Sequence, residues 1–313
     1  MTALRPATFL AALVLALTIS ACDRSGPAPV GSASIAADAS HARFRVVAAE
    51  NFWGSLAAQL AGDRAQVQSI VTDPEADPHS YQPNAQDARA IAGANMVIIN
   101  GLGYDEWAHQ LVQASPASGR VVLDVGTLLS LPPGSNPHRW YFPGDVRAVI
   151  GAIASDYERL DPADAAYFAG RARDLTEVGL ARYDALRAQI RARYRGVPVG
   201  YSESIFQGLG QDLGLRLLTP YSFARAIAEG TDVTAGDKET VDAQARERRI
   251  RVWVFNSQNV TPDVQRVNEL ARQAHIPIAT VTETLSPAGE SFQQWQVTQL
   301  EALQRALRQA TGR

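Results

Sequence analysis

Two short motifs carry the chemistry of this chain: Asp77-Pro78-His79-Ser80-Tyr81-Gln82-Pro83 and Asn136-Pro137-His138-Arg139-Trp140-Tyr141-Phe142-Pro143. In each, a histidine follows a proline in a polar loop and a second proline comes soon after. Proline restricts its own φ and the residue before it. Each imidazole is therefore held out from a stiff loop. Neutral imidazole is the commonest protein ligand for divalent transition metals, so two such loops suggest a metal site assembled from distant parts of one fold. Two carboxylates have comparable settings. Glu203 in Tyr201-Ser202-Glu203-Ser204 directly follows an apolar run at Val197–Tyr201, and Glu283 in Thr282-Glu283-Thr284 follows another at Pro277–Val281. Two imidazoles and two carboxylates would neutralise a divalent cation. Plainer roles are open for each residue: an exposed loop histidine, a first-turn acid favoured by a helix dipole for Glu203, a solvated loop acid for Glu283. Agreement among the four favours the metal.

The elements that must position them alternate regularly. Short β-branched runs at Phe44–Ala49, Gln66–Val71, Met96–Asn100 and Val121–Val125 read as strands, with helical patterns near Phe52–Ala61, Ala85–Ala94 and Tyr104–Ala114 between them. The second half repeats the scheme, with strands at Val197–Tyr201, Leu215–Leu218, Ile250–Phe255 and Pro277–Val281. Its helices fall near Ser204–Leu213, Glu239–Arg248, Pro262–Ala274 and Phe292–Ala310. This alternation predicts an α/β fold of two four-stranded parallel sheets. Between the halves, Asp161-Pro162 reads as a helix start. Phe168, Leu175, Val178, Tyr183, Leu186, Ile190 and Tyr194 continue at helical spacing. About 33 helical residues would reach about 50 Å, a rigid strut joining the halves. The expected division is a signal at 1–21, a tether at 22–42, α/β domains at 43–160 and 196–313, and the linking helix at 161–195. Ligands in open parallel sheets bind beyond the carboxyl ends of the strands, and all four candidate ligands fall there.

Residues 9–19 form an apolar run after Arg5, too short for a final membrane span, and lead into Ile19-Ser20-Ala21-Cys22. This resembles a bacterial lipoprotein box, in which the signal is cut before a cysteine that is then lipidated. Cys22 is the one cysteine in the 313 residues, so the chain can form no internal disulfide. Asp23 resembles an inner-membrane retention signal. The expectation is an exported protein held by lipid at Cys22 to the outer face of the cytoplasmic membrane, facing the periplasm or the extracellular side. The Ser-, Ala-, Gly- and Pro-rich stretch to Ala42 reads as a flexible tether. A formal net charge of -3 gives no sign of nucleic-acid binding.

Over about residues 44–310 the chain resembles the metal-binding solute-binding lipoproteins of bacterial ABC transporters, which capture zinc, manganese or iron. The two histidine loops carry the likeness, with asparagine at 136 where aspartate is usual. Asn100-Gly101-Leu102-Gly103-Tyr104-Asp105-Glu106-Trp107, Asp161-Pro162, Ser202-Glu203 with Phe206, and Glu229-Gly230-Thr231 add weaker pieces. The resemblance implies a monomeric, non-enzymatic capture protein that passes one divalent ion to a membrane permease. It implies His79, His138, Glu203 and Glu283 as ligands. Asn256, where glutamate is common in the family, Tyr201 and Ser202 would stand behind them. Zinc members generally carry histidine where Glu203 stands, while manganese and iron members carry glutamate there. Carboxylates can bind through two oxygens, which suits manganese or iron, yet zinc binds such donor sets more tightly than manganese does. Manganese and zinc are therefore the expected ions, with iron behind. Two rival readings stand beside it: a metal-dependent hydrolase on the same His/Glu cluster, which would need an open coordination position and a general base, and an iron-chelate-binding lipoprotein of the same strut architecture, which would read its ligand with arginines and aromatics.

Overall fold

A parallel strand pair cannot be closed by a tight turn, so each strand must be followed by a crossover. The computed structural model, which describes residues 44–74 and 81–313, is built this way twice. Strands β1 (Phe44–Glu50), β2 (Ala65–Val71), β3 (Met96–Ile99) and β4 (Val121–Asp124) form one parallel sheet in the order β2-β1-β3-β4. Strands β5 (Pro198–Tyr201), β6 (Arg216–Leu217), β7 (Val252–Asn256) and β8 (Ile278–Val281) form the second, in the equivalent order β6-β5-β7-β8. Register aligns the strand ends of this second sheet. Tyr201 pairs with Val254, and Asn256 with Val281. Glu203, Asn256 and Glu283 therefore leave their strands at nearly one level.

In the first lobe, α1 (Asn51–Ala61), α2 (Ala85–Ala92), α3 (Glu106–Ala114) and the single turn α4 (Val125–Leu128) follow the strands in sequence. Asn84 caps α2 in a full capping box with Asp87. Helix α5 (Pro143–Leu160), absent from the sequence reading, starts with proline at its first position and buries Val146, Val149, Ile150, Ile153 and Tyr157. That is a helical apolar stripe, and it was legible.

The expected single helix from Asp161 is corrected in detail. Asp161 closes α5, its N–H donating to the Tyr157 carbonyl, and Pro162–Asp164 form a 3₁₀ turn. Helix α6 (Ala165–Asp174) then passes through a π turn at Leu175–Gly179 into α7 (Ala181–Tyr194). The π turn is closed by the Leu180 N–H on the Leu175 carbonyl at 2.9 Å. A Cβ on Gly179 would meet Leu175 Cδ1 at 2.9 Å, so the wider turn is crowded on that side. Helix α6 packs on α1 and α5 of the first lobe, and α7 packs on the last helix of the second.

The second lobe carries α8 (Gln207–Asp212), entered through a 3₁₀ turn at Ser204–Phe206, then α9 (Tyr221–Ala228) and α10 (Ala235–Arg246). Helices α11 (Pro262–Gln273) and α12 (Phe292–Thr311) complete it. Helix α9 was not anticipated. Helix α10 begins before Glu239 because the Thr234 hydroxyl caps it through the Asp237 N–H. One apolar core runs from Phe44, Phe52 and Trp140 through Phe168, Leu175, Tyr183 and Leu186 to Phe206, Leu209 and Trp295. It joins both lobes through the connecting helices. No helix among the described residues is long and apolar enough to cross a membrane.

Candidate metal centre

His138 lies beyond β4 and is fully buried. Its loop is held from behind. The Asn100 side chain donates to the Pro137 carbonyl at 2.9 Å and accepts from Trp53 Nε1 at 3.0 Å. Asn136 sets the imidazole. Its Nδ2 donates to the Ser204 carbonyl at 2.7 Å, a partner that can only accept, so Oδ1 must face the ring. Oδ1 lies 2.7 Å from His138 Nδ1. Nδ1 therefore carries a proton, and Nε2 is the nitrogen that faces the site, free to bind a cation once its own proton is lost, the arrangement a metal-ligating histidine requires.

Nε2 faces two carboxylates of the other lobe. Glu203 Oε1 is 3.4 Å away and Glu283 Oε1 is 3.5 Å away. All three side chains are buried, and one donor atom from each lies within 4.8 Å of the others. Glu203 Oε1 accepts no hydrogen bond among the described residues although it is buried. Two buried carboxylate oxygens converging on one imidazole nitrogen make a donor set able to hold a cation. Asn256 Nδ2 donates to Glu203 Oε2 at 2.9 Å and to Glu283 Oε1 at 2.8 Å. Its own Oδ1 accepts the Gln258 N–H at 3.0 Å, which fixes the direction of the amide. The Tyr104 hydroxyl reaches across from the first lobe to Glu283 Oε2 at 3.0 Å.

The electrostatics of the site favour protons wherever a cation is not supplied. Burial, then the neighbouring Glu283, pushes the Glu203 carboxyl up. Burial alone would lower the His138 imidazole, but Glu283 and Glu203 outweigh it and hold the ring up. Burial and Glu283 also raise the Tyr104 phenol well above its ordinary range, so it stays a hydrogen-bond donor. A cleft of about 530 Å³ beside the site is lined by Tyr104, Asn136, Ser204, Tyr221 and Arg225 among others.

The structure thus brings together His138, Glu203, Glu283 and Asn256. Ser202 stands one step back, its hydroxyl accepting the Asn256 N–H at 3.1 Å. Tyr201 is buried beside Phe206, and its N–H donates to Thr219 Oγ1. His79 and Cys22 lie outside the described residues. Sequence reasoning missed the roles of Tyr104, Asn136, Gln258 and Asn51. The first two sat inside quoted motifs, whereas Gln258 and Asn51 carry no local signal.

Residues 46–306 match the family described as zinc-uptake complex component A, periplasmic. The iron-binding protein YfeA of Yersinia pestis is 24% identical over 257 residues, covering 78% of this chain and 71% of that protein. The manganese ABC transporter substrate-binding lipoprotein PsaA of Streptococcus anginosus is 23% identical over 266 residues, covering 79% and 82%. The solved structure of a Cd-bound periplasmic metal binding protein from Candidatus Liberibacter asiaticus superposes with a TM-score of 0.70 at 19% identity, over 84% of this chain and 99% of that one. The two parallel sheets, the cleft site at their strand ends and the match over residues 46–306 agree: this chain belongs to the periplasmic zinc-uptake component A family.

Proposed function

We propose that this protein captures one divalent transition-metal ion outside the cytoplasmic membrane and hands it to the permease of an ABC importer. One observation carries the reading. An imidazole nitrogen from one lobe and two carboxylates from the other present donor atoms within 4.8 Å of one another, fully buried, at the strand ends of two sheets. The proposed ligands are His138, Glu203 and Glu283, with His79 supplied from the first histidine loop. The ion is manganese or zinc, with iron(II) the poorer candidate. Two carboxylates that can each bind through two oxygens allow more than four-fold coordination. Four protein ligands, with the carboxylates binding through both oxygens, would fill the coordination sphere and leave no position for a reacting water, which supports carriage rather than hydrolysis. Lipidation at Cys22 would keep the carrier beside its permease, and the working unit is a monomer. Relatives named as lipoproteins, one of them of an ABC transporter, support the anchoring.

The test is metal titration of the soluble part, from about residue 43, after stripping. The expected result is one tight ion per chain by calorimetry and elemental analysis. His138→Ala and His79→Ala should each lose it. Full affinity in the double variant would sink the ligand assignment.

A further inference from the structure

Four consecutive backbone N–H groups define the position of Glu283, and each donates to a side-chain amide oxygen. Thr282 donates to Gln299 Oε1 at 3.0 Å, and Leu285 to Asn51 Oδ1 at 3.1 Å. Between them, Glu283 and Thr284 both donate to Gln258 Oε1. The other end of the Gln258 amide donates to Thr284 Oγ1 at 2.9 Å and to the carbonyl of Pro74. The assignment of nitrogen and oxygen is forced: two backbone N–H groups can only donate, and a carbonyl can only accept. Pro74 belongs to the first lobe, just past β2 and directly before residues 75–80, the stretch of sequence that contains His79. The Gln258 N–H also orients Asn256, whose amide holds Glu203 and Glu283. One side chain therefore ties a ligand-bearing loop of the second lobe to the first lobe, and its backbone orients the amide behind both carboxylates.

We propose that Gln258 is a positioning residue for the metal: it couples Glu283 to Pro74, so that the ion is released only when this tie breaks. The inference rests on the metal reading of Glu283. Among the described residues, Gln258 makes no hydrogen bond to His138 or to either carboxylate. It acts on Glu283 through the main chain, so its influence falls on how long the ion is held rather than on how many ions bind.

The test measures the rate of metal loss from the full chain, purified in detergent and loaded with zinc, after addition of excess chelator. Wild type, Gln258→Ala and Gln258→Glu are compared, with His138→Ala as the binding-deficient control and thermal melts of each metal-free form. Gln258→Ala removes the whole tie. Gln258→Glu keeps an oxygen for the two N–H groups but loses the donor to Pro74. Loss of the Pro74 bond, common to both variants, should accelerate release about tenfold or more, with one ion still bound per chain and the association rate little changed. The glutamate variant is decisive. Its added negative charge alone would slow the loss of a cation, so faster loss points to the missing Pro74 bond. Release at the wild-type rate in both variants, or slower release in Gln258→Glu, overturns the proposal even where the melts fall. A wild-type chain that takes up no ion overturns the metal reading itself, and this inference with it.

Discussion

Asn256 and Asn136 perform opposite tasks with the same side chain. Asn136 turns its oxygen to the His138 ring and its nitrogen to the Ser204 carbonyl. Asn256 turns its nitrogen to two carboxylates. Both orientations follow from neighbours that can only donate or only accept. Replacing Asn256 by alanine removes the amide bond to each carboxylate, and metal affinity should fall about 10- to 100-fold in calorimetric titration. The site also predicts a pH dependence. His138, with an ordinary value of 6.5, is held at about 9, so its contribution to metal-free stability is complete below 6.5 and is lost as pH rises through about 9. Glu203, ordinarily 4.5, is pushed up to about 7, so stability also falls as pH rises from about 4.5 through about 7. Both terms weaken the metal-free protein as pH increases from about 5 to about 9. A metal ion must displace those same protons, so its affinity rises in that direction. The gap in melting temperature between loaded and metal-free protein should widen with pH. A gap that narrows would contradict this proton count.

At the scale of elements, the seam between α8 and the second histidine loop is closely packed. A Cβ on Gly208 would lie 2.6 Å from the Phe142 ring, which is itself covered by the Arg139 guanidinium at 3.6 Å. Phe142 follows the 3₁₀ turn that begins at Arg139, next to His138. Gly208→Ala should force these elements apart, lowering stability by about 1–3 kcal/mol in denaturant titrations. Metal binding should weaken with it, because Glu203 leads into α8. The element reading from sequence succeeded where periodicity and caps coincided, as at α2, α11 and α12. It gave no element at α5, although the apolar stripe there is continuous. It also drew one helix across Asp161–Tyr194. Helical spacing alone cannot distinguish an α turn from a π turn, and the extra residue at Leu175–Gly179 is accommodated by packing.

The molecule as a whole has two sheets but one main core. Phe52, Trp140, Tyr183, Leu186, Phe206 and Trp295 belong to the same buried cluster, which passes through α6 and α7. Neither lobe could unfold without exposing apolar surface of the other. Differential scanning calorimetry should therefore show one cooperative transition, with calorimetric and van't Hoff enthalpies in agreement. Two resolved transitions would mean that the lobes are independent. The same continuity resists wide hinge opening. Small-angle scattering profiles of metal-free and loaded protein should coincide within error, leaving loop shifts such as the one proposed at Gln258 to release the ion.

The sequence by itself determined the alternation of strands and helices, the two stiff proline-histidine loops and the residue types able to bind a metal. These are local properties: backbone restriction by proline, β-branched runs, and the chemistry of single side chains. The convergence of the three described candidate ligands was decided only by the tertiary structure. Strand order and register set Glu203, Asn256 and Glu283 at one level, and the shared core brings His138 against them. The tautomer of His138 and the tie at Gln258 also belong to that level. Each depends on partners far away in the chain, and hydrogen-bond direction is defined only once those partners are in place.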